Sequence, residues 1–185
     1  MDRWRRLLAP PVDADLRAER LGRDLARDQR LQADIVTTED QLTKLLAATD
    51  GQVLTTLPGV AAVRAAAFAA HSLPIDRFET AEQLYAATGL APAAWQSASL
   101  KRRGRISRQG LPEHRDALMG IAWGLSQHSV SFRERDRELR GRGRRPIQAR
   151  VALARHACRL CHALLRTQQP FDEARYRAAR HSRGR

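Results

Sequence analysis

The chain has 185 residues, enough for one ordinary domain or a small domain with an extension. A hydrophobic content of 43% suffices for a core and excludes global disorder; aromatics at 5% with abundant Ala favour packed helices over a sheet sandwich. The net charge of +13 is lopsided: residues 1–100 carry 11 Lys/Arg against 13 Asp/Glu, residues 101–185 carry 22 against 7.

A cationic field confined to one half implies an anionic partner, and phosphate polymers are the commonest. Lys44 and Lys101 are the only lysines, so the field is built from guanidinium forks that bind phosphate oxygens in pairs. A GC-rich genome also inflates Arg over Lys, but does not explain the asymmetry. Met1 to Leu8 holds three arginines and no apolar run long enough for a secretory signal. No stretch approaches the ~18 apolar residues of a membrane span. The expected location is the cytoplasm, with no membrane partner.

Residues 1–12 read as a short tail closed by Pro10 and Pro11. From Asp13 to about 50 the pattern is one long, charged, coiled-coil-like helix, with Asp13 as its cap. Leu31, Ile35, Thr38, Leu42 and Leu45 alternate at spacings of four and three. The stripe is too narrow for a core, so the helix is expected to pair with a second helix, in cis or in a dimer. Residues 51–168 read as a helical domain, and 169–185 as a basic, mobile tail.

Within that domain "VLTTLPGVAAVRAAAFAAH", residues 53–71, reads as helix, tight turn, helix. Pro58 and Gly59 form the break, with Gly59 at positive φ. It is similar to a helix-hairpin-helix motif, where the turn offers backbone N–H groups to a DNA phosphate. Gly59, Val60 and Ala61 are therefore candidate nucleic-acid contacts. The motif's second glycine is Ala61 here, and a purely structural hairpin stays an equal alternative.

Thr80 and Gln83 form a capping box, and Gly89 ends the helix they open. Residues 90–110, including "WQSASLKRRGRISRQG", are too polar and broken to predict a strand or helix. Pro112 opens a helix to about Gln127 with Leu118, Ile121, Ala122 and Leu125 on one side. "FRERDRELRGRGRRP" is a charged helix fraying at Gly141 and Gly143, partly neutralised by i, i+4 pairs. Arg142, Arg144 and Arg145 follow it as candidate phosphate ligands.

The last helix runs from near Pro146 to Gln168 with Ile147, Val151, Ala154, Cys158, Cys161 and Leu165 on one stripe. "HACRLCH" fits the spacing of haem attachment, of a redox pair, or of a metal site with His156 and His162. The inward stripe favours the thiols as small core residues over all three. The fold class expected is all-α: the long helix, a helix-hairpin-helix and a small helical bundle.

Taken in order, "LTTLPGVAAVRAAAFAA", "IDRFETAEQLYAATGLAP", "QSASLKRRGRISRQG" and the Arg-rich helix pair ending "ARHACRLCHALLRT" resemble one family. It is the carboxy-terminal domain of bridge-RNA-guided insertion-sequence transposases, which join a RuvC-like amino domain to a helical, serine-bearing domain. The resemblance spans about residues 15–170. It implies DNA transposition and recombination, with Ser97 as nucleophile, five positions after Pro92; Ser99 is the neighbouring candidate. The family's usual Ser-Gly is Ser97-Ala98 here. Lys101, Arg102, Arg103, Arg105 and Arg108 would clamp phosphate around that serine.

The resemblance further implies DNA and a structured guide RNA as partners, and Mg²⁺ held by the RuvC-like domain. No strand-borne acidic set precedes the hairpin, so this chain is expected to hold no metal or cofactor itself. The reading is a truncated or split transposase, inactive alone, self-associating or joining a full-length transposase through the coiled-coil helix. The alternative is a non-catalytic nucleic-acid-binding or dimerising regulator of such a transposase.

Overall fold

The computed structural model describes residues 13–97 and 100–182, with side chains described outside 93–105 and 180–182. The chain divides into two units, 1–41 and 42–185. Helix α1, Ala14–Ala47, begins in the first. It is laced by exposed pairs such as Asp13–Arg17 at 2.7 Å, each contributing about 0.3–0.5 kcal/mol. Leu31, Ile35 and Leu45 of the seam are 51–69% exposed, and Leu16, Leu21 and Leu25 add to the exposed apolar surface.

The second unit carries the core. A 3-10 turn over Asp50–Thr56 leads to α2 (Ala62–Ser72), then a 3-10 turn at Ile75–Arg77 and α3 (Ala81–Ala87). A hairpin of β1 (Pro92–Ser97) and β2 (Leu100–Ile106) follows. The chain then closes with α4 (Pro112–His128), α5 (Val130–Gly141), α6 (Pro146–Thr167) and α7 (Glu173–Ser182). The protein is thus helical, as its composition implies, with one two-stranded sheet. α4 lies between α2 and α6, and α3 packs on α6 from the other end. Leu118, Ile121 and Leu125 of α4 meet Leu153, Cys161 and Leu165 of α6 in one core, all 2% exposed or less. Each such leucine or isoleucine stabilises the fold by about 1.5–3 kcal/mol.

Several local signals act as the sequence implies. The Thr80 Oγ1 accepts from the Gln83 N–H at 3.2 Å, the Gln83 side chain answers at Glu79 and Thr80, and Gly89 takes φ +70 where α3 ends. Cys158 and Cys161 are buried and free. Burial pushes the Cys158 thiol up to about 12 and Cys161 well above its usual range, so neither is a thiolate at neutral pH. They are core residues, and no three His, Cys, Asp or Glu side chains converge as a metal site among the described residues.

Other expectations are corrected. Pro92–Ser97 and Leu100–Ile106 pair as antiparallel strands where no strand was expected. β1 opens on the apolar run Pro92, Ala93, Ala94 and Trp95 and β2 is cationic between Leu100 and Ile106, so the period-two alternation that reveals a half-buried strand is missing. The limb before Pro58 is 3-10 rather than α-helical. The Thr55 and Thr56 hydroxyls donate to the carbonyls three residues back at 2.8 and 2.7 Å, and Pro58 forbids extension. Ile147 is 58% exposed, because burial along α6 begins at Ala149.

The segment after Pro170 is not a mobile tail over 173–179. α7 docks on α5: the Phe132 and Tyr176 rings stack at 5.5 Å, and the Glu173 carboxylate accepts from Ser129 Oγ and the Ser131 N–H at 3.0 and 2.9 Å. Burial raises the Glu173 carboxyl, but those hydrogen bonds from Ser131 and Ser129 outweigh it and hold the group below its usual value.

Under the α2–α4 contact, Ser72 Oγ and His114 Nε2 share a hydrogen bond of 3.1 Å, with the Phe68 ring 5.1 Å from the imidazole. Both are sealed, at 0% and 2% exposure, so the pair is a structural tie without substrate access. Burial, and the nearby His71 and Arg77, pull His114 down to about 4. The folded protein therefore binds this proton less readily than the unfolded chain. Its neutral form contributes fully above about pH 6.5, and the contribution drains away as pH falls towards 4. Denaturant titrations from pH 7 to 4 should lose about 3 kcal/mol over that window, and His114→Asn should flatten the slope. A wild-type curve level across this range would contradict the buried neutral imidazole.

Candidate nucleic-acid interface

Ser97 is the last residue of β1, paired in register with Leu100 at the far end of the hairpin. Ser99 lies outside the described residues. Lys101, Arg102, Arg103 and Arg105 all sit on β2, and the register sets Lys101 opposite Gln96, Arg102 opposite Trp95 and Arg103 opposite Ala94. The side chains of these residues lie outside the description. The backbone alone gathers the serine and four cations onto one hairpin. A bulge between Pro92 and Ala94 marks its entry.

The foot of the hairpin is fixed by backbone. The Ser107 N–H donates to the Ala91 carbonyl at 2.8 Å, and the Arg108 N–H to the Gly89 carbonyl at 2.9 Å. Arg108 takes a left-handed φ of 55 to do so, and its side chain is exposed. Gly110 then passes against the end of α3. A Cβ there would lie 2.6 Å from both the Gly89 nitrogen and the Thr88 carbonyl carbon. Nothing but glycine fits, so Gly89 and Gly110 join the hairpin to the helical frame. Sequence reading gave Gly89 only its helix-ending role; a glycine at each end of a polar stretch was the available signal for this junction.

Gly59 takes φ +75 as expected, and its tight neighbour is protein. A Cβ at Gly59 would meet the Gly124 carbonyl oxygen at 2.8 Å and also clash with the His128 ring. Arg64 Nη1 donates to the Gly59 carbonyl at 3.0 Å, and Val60 is 4% exposed. The turn thus packs onto α4, which gives the glycine a structural reason. Ala61 is the exposed member of the three and the N-cap of α2.

Arg142, Arg144 and Arg145 lie in the exposed turn joining α5 to α6, where Gly143 takes φ +77. Arg140 pairs with Asp136 at 2.8 Å and Arg135 with Glu138 at 3.3 Å, which neutralises part of α5. Among the described residues no ion pair engages Arg142, Arg144 or Arg145, so their charge faces solvent. No hydrogen bond among the described residues links these three to the hairpin or the Gly59 turn.

Among the described residues no three His, Cys, Asp or Glu side chains gather as Mg²⁺ would require. No helix among the described residues is long and apolar enough to cross a membrane.

Comparison with known proteins adds two findings. Residues 51–137 match the model of the "Transposase IS116/IS110/IS902 family". The chain is also 28% identical over 173 residues to a Sinorhizobium fredii (strain NBRC 101917 / NGR234) protein described as "Putative transposase y4rJ". That match covers 83% of this chain and 42% of the relative, so the chain spans less than half the relative's length.

Both glycine contacts are testable by one added carbon. Gly59→Ala and Gly110→Ala should each cost about 2–4 kcal/mol, from overpacking against backbone and, at Gly59, the left-handed φ. Gly141→Ala, with nothing near its Cβ, should stay within about 0.5 kcal/mol of wild type in the same thermal melts. Equal stability of all three would contradict the packing described.

Proposed function

We propose that the chain is the helical, serine-bearing part of a transposase that binds DNA through its basic half. The observation that carries this reading is that Ser97 and four β2 cations share one hairpin, with Arg108 at its foot, within the segment that matches the transposase family model. In the proposed chemistry Ser97 Oγ attacks a DNA phosphorus. An O–P bond forms, and the 3′ oxygen departs with its bonding electrons. The serine proton passes to a base and a proton is taken up by the 3′ oxygen, leaving a phosphoserine ester and a free 3′ hydroxyl. The β2 arginines would neutralise charge growing on the phosphoryl oxygens.

A structured guide RNA and Mg²⁺ belong to the same reading through the resemblance. The carboxylates for Mg²⁺ would come from outside the described residues, on a RuvC-like domain. Full chain, mixed with a longer transposase relative, its RNA and target DNA, should yield a covalent protein–DNA adduct. Ser97→Ala should abolish that adduct while leaving salt-sensitive DNA binding within about twofold. An adduct that persists in Ser97→Ala, or none with the complete mixture, would sink the nucleophile assignment.

A second reading, a dimerising regulator, is favoured by the exposed α1 seam at Leu31, Ile35 and Leu45. Light scattering at micromolar concentration should show a dimer that Leu31→Glu with Ile35→Glu dissociates. A monomeric wild type that also fails to join a longer relative would contradict it.

A further inference from the structure

On α4, Trp123 lies on the side of the helix opposite Leu118, Ile121 and Leu125, which fill the core. It is 39% exposed, the largest aromatic surface among the described side chains that the core does not use. The Arg150 guanidinium sits 4.2 Å from its ring centroid, reaching over from α6. On the other flank of α4, Arg64 lies across Gly120 and Gly124, its Nε 3.6 Å from where a Gly120 Cβ would stand. Arg150 is one turn into α6, just beyond Arg144 and Arg145. An aromatic ring is therefore held under one guanidinium, whose helix opens on an arginine turn without ion pairs among the described residues, while a second arginine lies on the glycines of the ring's own helix.

We propose that Trp123 and Arg150 form a stacking platform for one unpaired nucleobase, whose flanking phosphates are held by the Arg142–Arg145 turn. This rests on the nucleic-acid reading above and adds what this face selects. A flat π surface with a cation on it fits a flat, electron-rich ring, and the surrounding positive charge fits a phosphate backbone. The same charge repels cationic peptides. Bases inside a duplex are already stacked and paired, so the platform discriminates for single-stranded or flipped-out nucleotides. Arg150 also pre-orders the indole, which lowers the entropy lost on stacking.

The test uses the full chain and three fluorescent probes: a short oligothymidylate, an abasic oligomer of the same length, and a duplex. Anisotropy titrations at several salt concentrations give affinity and salt slope. Trp123→Ala should weaken oligothymidylate binding roughly tenfold or more, the loss of one base stack, and leave the abasic oligomer within about twofold. Trp123→Phe should restore most of the oligothymidylate affinity. The salt slope should be unchanged by Trp123→Ala and reduced by Arg144→Gln with Arg145→Gln. Trp123→Gln keeps a helix former at this outward position should the alanine variant melt. Equal losses on the oligothymidylate and abasic probes, or no loss on either with salt-sensitive wild-type binding, would overturn the platform alone. A wild type that binds none of the probes would overturn both the platform and the reading beneath it.

Discussion

At the foot of the β1–β2 hairpin the backbones of Gly89 and Gly110 come so close that a Cβ on Gly110 would lie 2.6 Å from the Gly89 nitrogen. The hydrogen bonds from the Ser107 and Arg108 amides to the Ala91 and Gly89 carbonyls complete the join. A two-stranded hairpin is marginal by itself in water. Here its base is part of a folded domain, because α3 ends at Gly89 and α4 begins just after Gly110. α4 is in turn the helix on which the Gly59 turn and α6 pack. Everything proposed for Ser97 depends on that foot.

Glycine recurs wherever backbones must touch. Gly59 meets Gly124 as Gly89 meets Gly110, and each contact lets a turn lie directly on a helix or strand end. The remaining scaffold is ordinary helix packing through Leu118, Ile121, Leu125, Leu153 and Leu165. Around it several buried polar groups are matched: Ser72 with His114, His162 Nε2 with the Phe78 carbonyl at 3.0 Å, and Ser129 with Glu173. Among the described side chains, the positive charge of the α5–α6 turn is left exposed.

How much of this was legible depended on periodicity. The helices from Pro112 and Pro146 carry proline starts and an apolar stripe, and were readable to within a residue or two. The Thr80–Gln83 box and Gly89 marked α3 equally well. The hairpin was hidden because neither PAAWQS nor LKRRGRI alternates apolar and polar residues with period two. α7 was hidden because its apolar docking groups are few, Phe171 and Tyr176, in a segment otherwise read by charge. The Ser72–His114 tie and the Trp123–Arg150 stack join residues 42 and 27 positions apart, which no local pattern reports. Of the candidate site, residue types were legible; the division of Gly59–Ala61 into packed and exposed members needed the fold.

In the reading proposed above, a helical frame presents the β1–β2 hairpin and the α5–α6 arginine turn to nucleic acid. Photo-crosslinking of the full chain to uniformly labelled DNA, with mass spectrometry of the crosslinked peptides, tests it most directly. The predicted adducts fall in peptides from 92–108 and 142–150 and disappear as salt rises. Adducts confined to α1 or α7, or a pattern indifferent to salt, would contradict it.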